Sequence, residues 1–130
     1  MTVLIIDDDA EDTELFCDAF HELFPDALCE IANSCKKIET AVNSIHPDII
    51  FMDGHMFPTS GKECLKKLNE HVDRKRIKVI VHSGSLTPNE VDDFNAMGID
   101  GVMIKASSFS QLKSNLVNII VDRYQLAPRP

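Results

Sequence analysis

The feature that most constrains this chain is a set of short apolar runs that end abruptly in polar residues. The clearest is Ile49-Ile50-Phe51-Met52, with Pro47-Asp48 before it and Asp53-Gly54 after it. A run this short between charges reads as a strand buried on both faces. Such strands belong to parallel sheets covered by helices. An Asp at the carboxyl end of a central parallel strand points into the crevice where open α/β sheets bind ligands. Alone, Asp53 could simply end a strand or cap a turn. Three other runs ending in complementary polar residues argue for more.

Val3-Leu4-Ile5-Ile6 breaks into Asp7-Asp8-Asp9. The stretch 10–24 then puts Leu15, Phe16, Ala19, Phe20, Leu23 and Phe24 at helical spacing. Asp9 is placed as its N-cap, and Glu11, Asp12 and Glu14 suit the positive end of the helix dipole. Residues 28–32 form a shorter, more polar strand, expected at the sheet edge. Ser34 is expected to cap a helix carrying Ile38, Ala41, Val42 and Ile45, which ends before His46-Pro47.

After Asp53 a loop over 54–61 leads into a short helix with Cys64, Leu65 and Leu68 that reaches His71, then a basic connector at 72–76. Val79-Ile80-Val81 is a fourth strand, running through His82 to Ser83. Thr87-Pro88-Asn89-Glu90 opens a helix with a capping residue, a proline at the first helical position and a glutamate to close the box. That helix uses Val91, Phe94 and Met97 and stops at Gly98. Val102-Met103-Ile104 is a fifth strand, ending at Lys105. Ser107 or Ser108 opens a last helix with Leu112, Leu116, Ile119, Ile120 and Tyr124 inward. The domain is predicted over 1–126, with 127–130 as a tail.

Five strands alternating with five helices predict a parallel sheet with right-handed crossovers. A flavodoxin-like three-layer sandwich in strand order 2-1-3-4-5 makes strands one, three, four and five neighbours. Asp7, Asp8, Asp53, Ser83 and Lys105 then converge on one crevice. Crowded carboxylates raise each other's pKa, and a hard divalent cation relieves the repulsion. Oxygen-only ligands select Mg²⁺ or its relatives. Lys105 and Ser83 add a point charge and a hydroxyl donor suited to a phosphoryl group. The residues thus read as carboxylates, metal and phosphoryl group, with one carboxylate able to act as nucleophile.

The chain's 130 residues suffice for one domain with a packed core. A formal net charge of −8 argues against a nucleic-acid surface, which needs a basic patch. No apolar run approaches the ~20 residues that span a membrane. With no signal peptide in evidence, a cytoplasmic location is expected. Cys17, Cys29, Cys35 and Cys64 show no CxxC spacing and are expected to be reduced and unpaired there. A redox role for Cys29 and Cys35 is the weaker reading.

The constellation resembles the receiver domain of two-component response regulators over essentially the whole chain. The marks are Ile5-Ile6-Asp7-Asp8, Pro47-Asp48 ahead of Asp53, Gly61 after it, Ser83-Gly84, the Gly98-Ile99-Asp100-Gly101 turn and Lys105, all at mutually consistent spacings. The resemblance implies that Asp53 accepts a phosphoryl group from the phosphohistidine of a sensor histidine kinase or phosphotransfer protein. It implies Mg²⁺ bound by Asp8, Asp53 and the backbone carbonyl of His55, with Asp7 acting through water. Lys105 would pair with the phosphoryl group, and Ser83 would swing to it. A stand-alone receiver that docks to a downstream protein is expected, and one that catalyses only its own phosphorylation and dephosphorylation.

Four positions depart from the family pattern. Phe57 stands where the family usually has Pro, and Ser60 replaces an acidic residue before Gly61. Val102 stands where a Tyr or Phe acts as the switch, and Ala106 replaces a Pro after Lys105. Val102 is short and stiff at χ1, so the signal is expected to leave as backbone displacement in 83–87 and 105–108. His55 reads either as a tuner of the aspartyl phosphate's lifetime or as a solvated loop residue, and His82 as a strand-end residue. Two other functions fit less of the pattern: a receiver that binds partners without phosphorylation, and a phosphohydrolase with an aspartate nucleophile.

Overall fold

The structure, a computed structural model, describes residues 1–56 and 59–123. Strands β1 (Thr2–Ile6), β2 (Leu28–Ala32), β3 (Ile49–Met52), β4 (Lys78–Ser83) and β5 (Gly101–Ile104) alternate with helices α1 (Ala10–Leu23), α2 (Ile38–Ile45), α3 (Gly61–Asn69), α4 (Pro88–Ala96) and α5 (Phe109–Val117). All strand pairs are parallel, in the order β2-β1-β3-β4-β5. This is the predicted flavodoxin-like sandwich. No helix among the described residues is long and apolar enough to cross a membrane.

The continuous apolar runs follow from the layering. Successive strand side chains point to opposite faces. Val3 and Ile5 of β1, with Ile49 and Phe51 of β3, enter a core with Phe16 and Phe20 of α1 and Leu112 and Leu116 of α5. Leu4 and Ile6, with Ile50 and Met52, enter a second core with Val42 of α2, Leu65 and Leu68 of α3 and Phe94 of α4. Both cores are needed, so the buried stretches 3–6 of β1 and 49–52 of β3 carry no polar residue.

Register carries those ends to one edge. Ile6 pairs with Met52, so Asp7 and Asp53 follow side by side. The Asp53 N–H donates to the Ile6 carbonyl, and the Lys105 N–H to the Ser83 carbonyl.

Local signals held at three helix starts. Asp9 caps α1, Thr87 and Glu90 form the full capping box on α4, and Ser108 caps α5, while Ser60, not expected as a cap, caps α3. Gly98 ends α4 at φ +88°, a left-handed conformation that disfavours any Cβ.

Several expectations are corrected. Lys37, not Ser34, is the N-cap of α2, because the Ser34 hydroxyl is spent on the nearby Lys36 N–H. The helix ending near His71 stops at Asn69, and the basic connector contains a 3₁₀ turn at Arg74–Arg76. Leu15 is half exposed and not part of the buried face of α1. Tyr124, the predicted domain end at 126 and the tail lie outside the described residues, as does Phe57.

The cysteines overturn the expectation of free thiols. Cys17 of α1 is disulfide-bonded to Cys29 of β2, and Cys35, just before α2, to Cys64 of α3. Their Cα atoms are 5.6 Å apart in both pairs. One bridge belongs to each core layer, created by the winding of helices onto the sheet. Spacings of 12 and 29 residues carry no local sign of that approach. Cys29 and Cys35 thus pair elsewhere and not with each other.

Candidate functional site

The crevice at the carboxyl ends of β1, β3, β4 and β5 gathers the predicted residues. Asp7, Asp8 and Asp53 each present a carboxylate oxygen, all within 4.8 Å of one another. Asp7 and Asp53 are buried and Asp8 is exposed.

Asp7 accepts from the Asp9 N–H at 2.9 Å through Oδ1. Its Oδ2 is buried without an aligned hydrogen bond, although the Lys105 ammonium lies 2.9 Å away as a charge partner. Burial pushes the Asp7 carboxyl above its ordinary pKa, and Lys105 opposes that rise. A buried carboxylate oxygen beside two further carboxylates fits the oxygen-only ligation of a hard divalent cation.

Asp53 Oδ1 accepts the His55 N–H at 3.0 Å, and Oδ2 accepts from Lys105 at 3.3 Å. Beneath it, Gly61 permits the close return of the chain. A Cβ at Gly61 would meet the Asp53 carbonyl oxygen and the Gly54 Cα at 2.7 Å. The glycine eight residues after Asp53 is therefore a packing requirement of the loop that follows Asp53.

Lys105 reaches three carboxylates: Asp12 at 2.8 Å, Asp7 at 2.9 Å and Asp53 at 3.3 Å. Burial alone would lower its pKa, but the hydrogen bond to Asp12 and the pairing with Asp7 outweigh it, so the ammonium is held more firmly charged than usual.

Ser83 is buried, and its hydroxyl bonds the His55 ring at Nδ1, 3.2 Å away, and the Ser85 carbonyl at 3.4 Å. His55 Nε2 meets Glu90 Oε2 at 2.5 Å, while Glu90 Oε1 accepts the Thr87 N–H of the capping box. The Thr87 N–H first, and His55 next, hold the Glu90 carboxyl down at about 2. His55 is thus tied to Asp53, Ser83 and α4, which corrects the reading of it as a merely solvated loop residue.

His82 is more than a strand end. It is buried between Phe16 and Phe51, with ring centroids 5.6 and 6.3 Å away. Neither ring nitrogen has a hydrogen-bond partner among the described residues. Burial first, then Lys105, pushes its pKa down to about 4, so the ring is neutral near neutrality.

Reading the sequence alone missed two contacts. Asp12 looked like a dipole-complementing acid on α1, and its grip on Lys105 spans 93 positions. Glu90 was legible as a capping residue, but its second oxygen on His55 had no local signal.

The chain belongs to the response regulator receiver domain family, whose profile matches residues 3–117. No curated protein sequence matches it. Among solved structures it is similar to the chemotaxis protein CheY4 of Vibrio cholerae, at 18% identity and TM-score 0.80, covering 92% of this chain and 98% of that one. The phosphorylated cyanobacterial phytochrome response regulator RcpA matches at 20% identity and TM-score 0.82, covering 99% and 97%. The Mn²⁺-bound form of response regulator Rcp1 matches at 16% identity and TM-score 0.79, covering 98% and 99%. At these identities the likeness is one of fold. The protein is a receiver domain of two-component signalling.

Proposed function

We propose that Asp53 is the phosphoacceptor of a phosphorelay, receiving its phosphoryl group from the phosphohistidine of a sensor histidine kinase or phosphotransfer protein. An Asp53 carboxylate oxygen attacks phosphorus, the P–N bond to the imidazole breaks, and the electron pair returns to the ring nitrogen. Asp8 and Asp53, with the His55 backbone carbonyl, would hold Mg²⁺, and Asp7 would help through water. When bound, the cation neutralises charge between the attacking carboxylate and the phosphoryl oxygens. Lys105 then pairs with the phosphoryl group, and Ser83 exchanges His55 for a phosphoryl oxygen. The protein catalyses only its own modification and its reversal.

The observation that carries this reading is the Asp53 carboxylate, with Lys105 in hydrogen-bond reach and two further carboxylates beside it. Output follows from Ser83 and Lys105, each bonded to a segment that begins a helix. Displacement of 83–87 and 105–108 would present α4 and α5 differently to a downstream protein.

A small acyl phosphate with Mg²⁺ should add one phosphoryl mass to the wild type and none to Asp53→Asn. A labelled Asp53→Asn protein refutes the assignment. Chelation of Mg²⁺ should also stop labelling.

A further inference from the structure

We propose that Asp12 is a positioning residue that parks the Lys105 ammonium while Asp53 is unmodified and must release it for the phosphoryl group. The inference rests on the phosphoacceptor reading above.

The Lys105 ammonium has three protons to give. Its nearest partners are three carboxylates, and the closest is Asp12 at 2.8 Å. Asp12 is free for this task because Asp9 caps the helix: Asp9 Oδ1 accepts both the Glu11 and Asp12 N–H groups. Asp12 therefore spends its carboxylate across the crevice on Lys105, just after β5, and not on its own helix.

A phosphoryl group on Asp53 brings roughly −1.5 to −2 charge and new acceptor oxygens. Lys105 already hydrogen-bonds Asp12 and Asp53 and lies 2.9 Å from Asp7 as a charge partner, so turning toward the new oxygens draws it away from one of these carboxylates. The side chains of Asp7 and Asp53 are 1% and 9% exposed, and that of Asp12 is 38% exposed. Water can solvate a released Asp12 far better than a released Asp7. Asp12 is therefore the partner that lets go. Its charge also adds to the repulsion felt by an anionic donor.

The test uses the whole chain with Mg²⁺ and the beryllium trifluoride anion as phosphoryl mimic. Asp12→Asn should bind the mimic about two- to fivefold more tightly, the range expected when a partly exposed ion pair is removed. Labelling by a small acyl phosphate should speed up in step. Asp12→Glu should behave as the wild type, because it restores the charge. Mg²⁺ affinity, measured by calorimetry without the mimic, should stay within twofold in both variants, on the order of the screened effect of one exposed charge.

Unchanged or weaker binding of the mimic in Asp12→Asn overturns the release step. The ¹⁵N resonance of the Lys105 ammonium reads the parking contact separately, with no phosphoryl chemistry. It should shift in Asp12→Asn and not in Asp12→Glu, and an unshifted signal overturns parking. A wild type that neither binds the mimic nor accepts a phosphoryl group overturns the phosphoacceptor reading and the release step together. The resonance still decides the parking contact in that case.

Discussion

The two flanks of Asp53 are built from different chemistry. On the α1–α5 side, one ammonium faces three carboxylates, two of them buried. On the α4 side, a line of hydrogen bonds runs from Asp53 through the His55 N–H, the His55 ring and Glu90 to the exposed capping box. The first flank is held by charge in a region that water screens poorly. The second consists of links near the surface, where an ion pair contributes little. A site arranged this way can keep the Lys105 cation at its charged wall, with only the exposed Asp12 contact open to exchange, and still remake its other wall cheaply. Under the proposed function, that makes Ser83 and the start of α4 the responsive side.

The sharpest test of the contrast is to remove one group from each flank. Lys105→Met leaves Asp7, Asp12 and Asp53 facing one another, and breaking a buried pair from one side costs about 3–5 kcal/mol. The partial exposure of Lys105 puts the loss toward the lower end. Ser83→Ala removes neutral hydrogen bonds and should cost about 1 kcal/mol. Urea denaturation measures both, and millimolar Mg²⁺ should recover part of the Lys105→Met loss. Equal losses in the two variants would break the comparison.

His82 lies beneath the charged flank, and acid should expose it. Its folded pKa of about 4 is below the ordinary 6.5. Stability from the neutral ring is full above pH 6.5 and is lost as pH falls toward 4, because only the unfolded chain gains the proton in that window. The shift corresponds to roughly 3 kcal/mol. The wild type should therefore lose stability relative to His82→Leu, by up to about 3 kcal/mol, as pH falls from 6.5 to 4. Parallel profiles would mean that the imidazole is protonated, or hydrated, in the folded protein.

Smaller effects belong to the α4 flank. Thr87→Ala removes the capping hydroxyl, at about 1 kcal/mol. Amide exchange should then rise in the first turn of α4 and leave α1 untouched. The least change is expected from Glu90→Gln: no measurable shift of the unfolding midpoint, but altered His55 ring resonances. A midpoint that moves as far as in Lys105→Met would show this flank to be as firmly held as the other.

Much of this was legible in the residues. Continuous apolar runs at 3–6, 49–52 and 79–81 can only be strands buried on both faces, and their polar terminators follow the fold's geometry. Thr87-Pro88-Asn89-Glu90 and Asp9 announced their helix starts because capping is chemistry between residues two or three apart. Gly61 was readable as a mark, though only the structure shows the Asp53 carbonyl that excludes a Cβ there.

What the sequence left open has one physical cause: the partners are distant in the chain. Asp12 and Lys105 are brought together by the packing of α1 beside the end of β5, and His55 and Glu90 by the return of β4 into α4. His82 looked like a strand terminus because burial on both sides is a property of the neighbours, here Phe16 and Phe51. The cysteines gave the plainest case. Nothing in their spacing distinguishes a free thiol from a bridge, and only the layering of helices on the sheet set Cys17 against Cys29 and Cys35 against Cys64. Local chemistry determined the elements and the residues at their ends, and tertiary packing decided which of those residues touch.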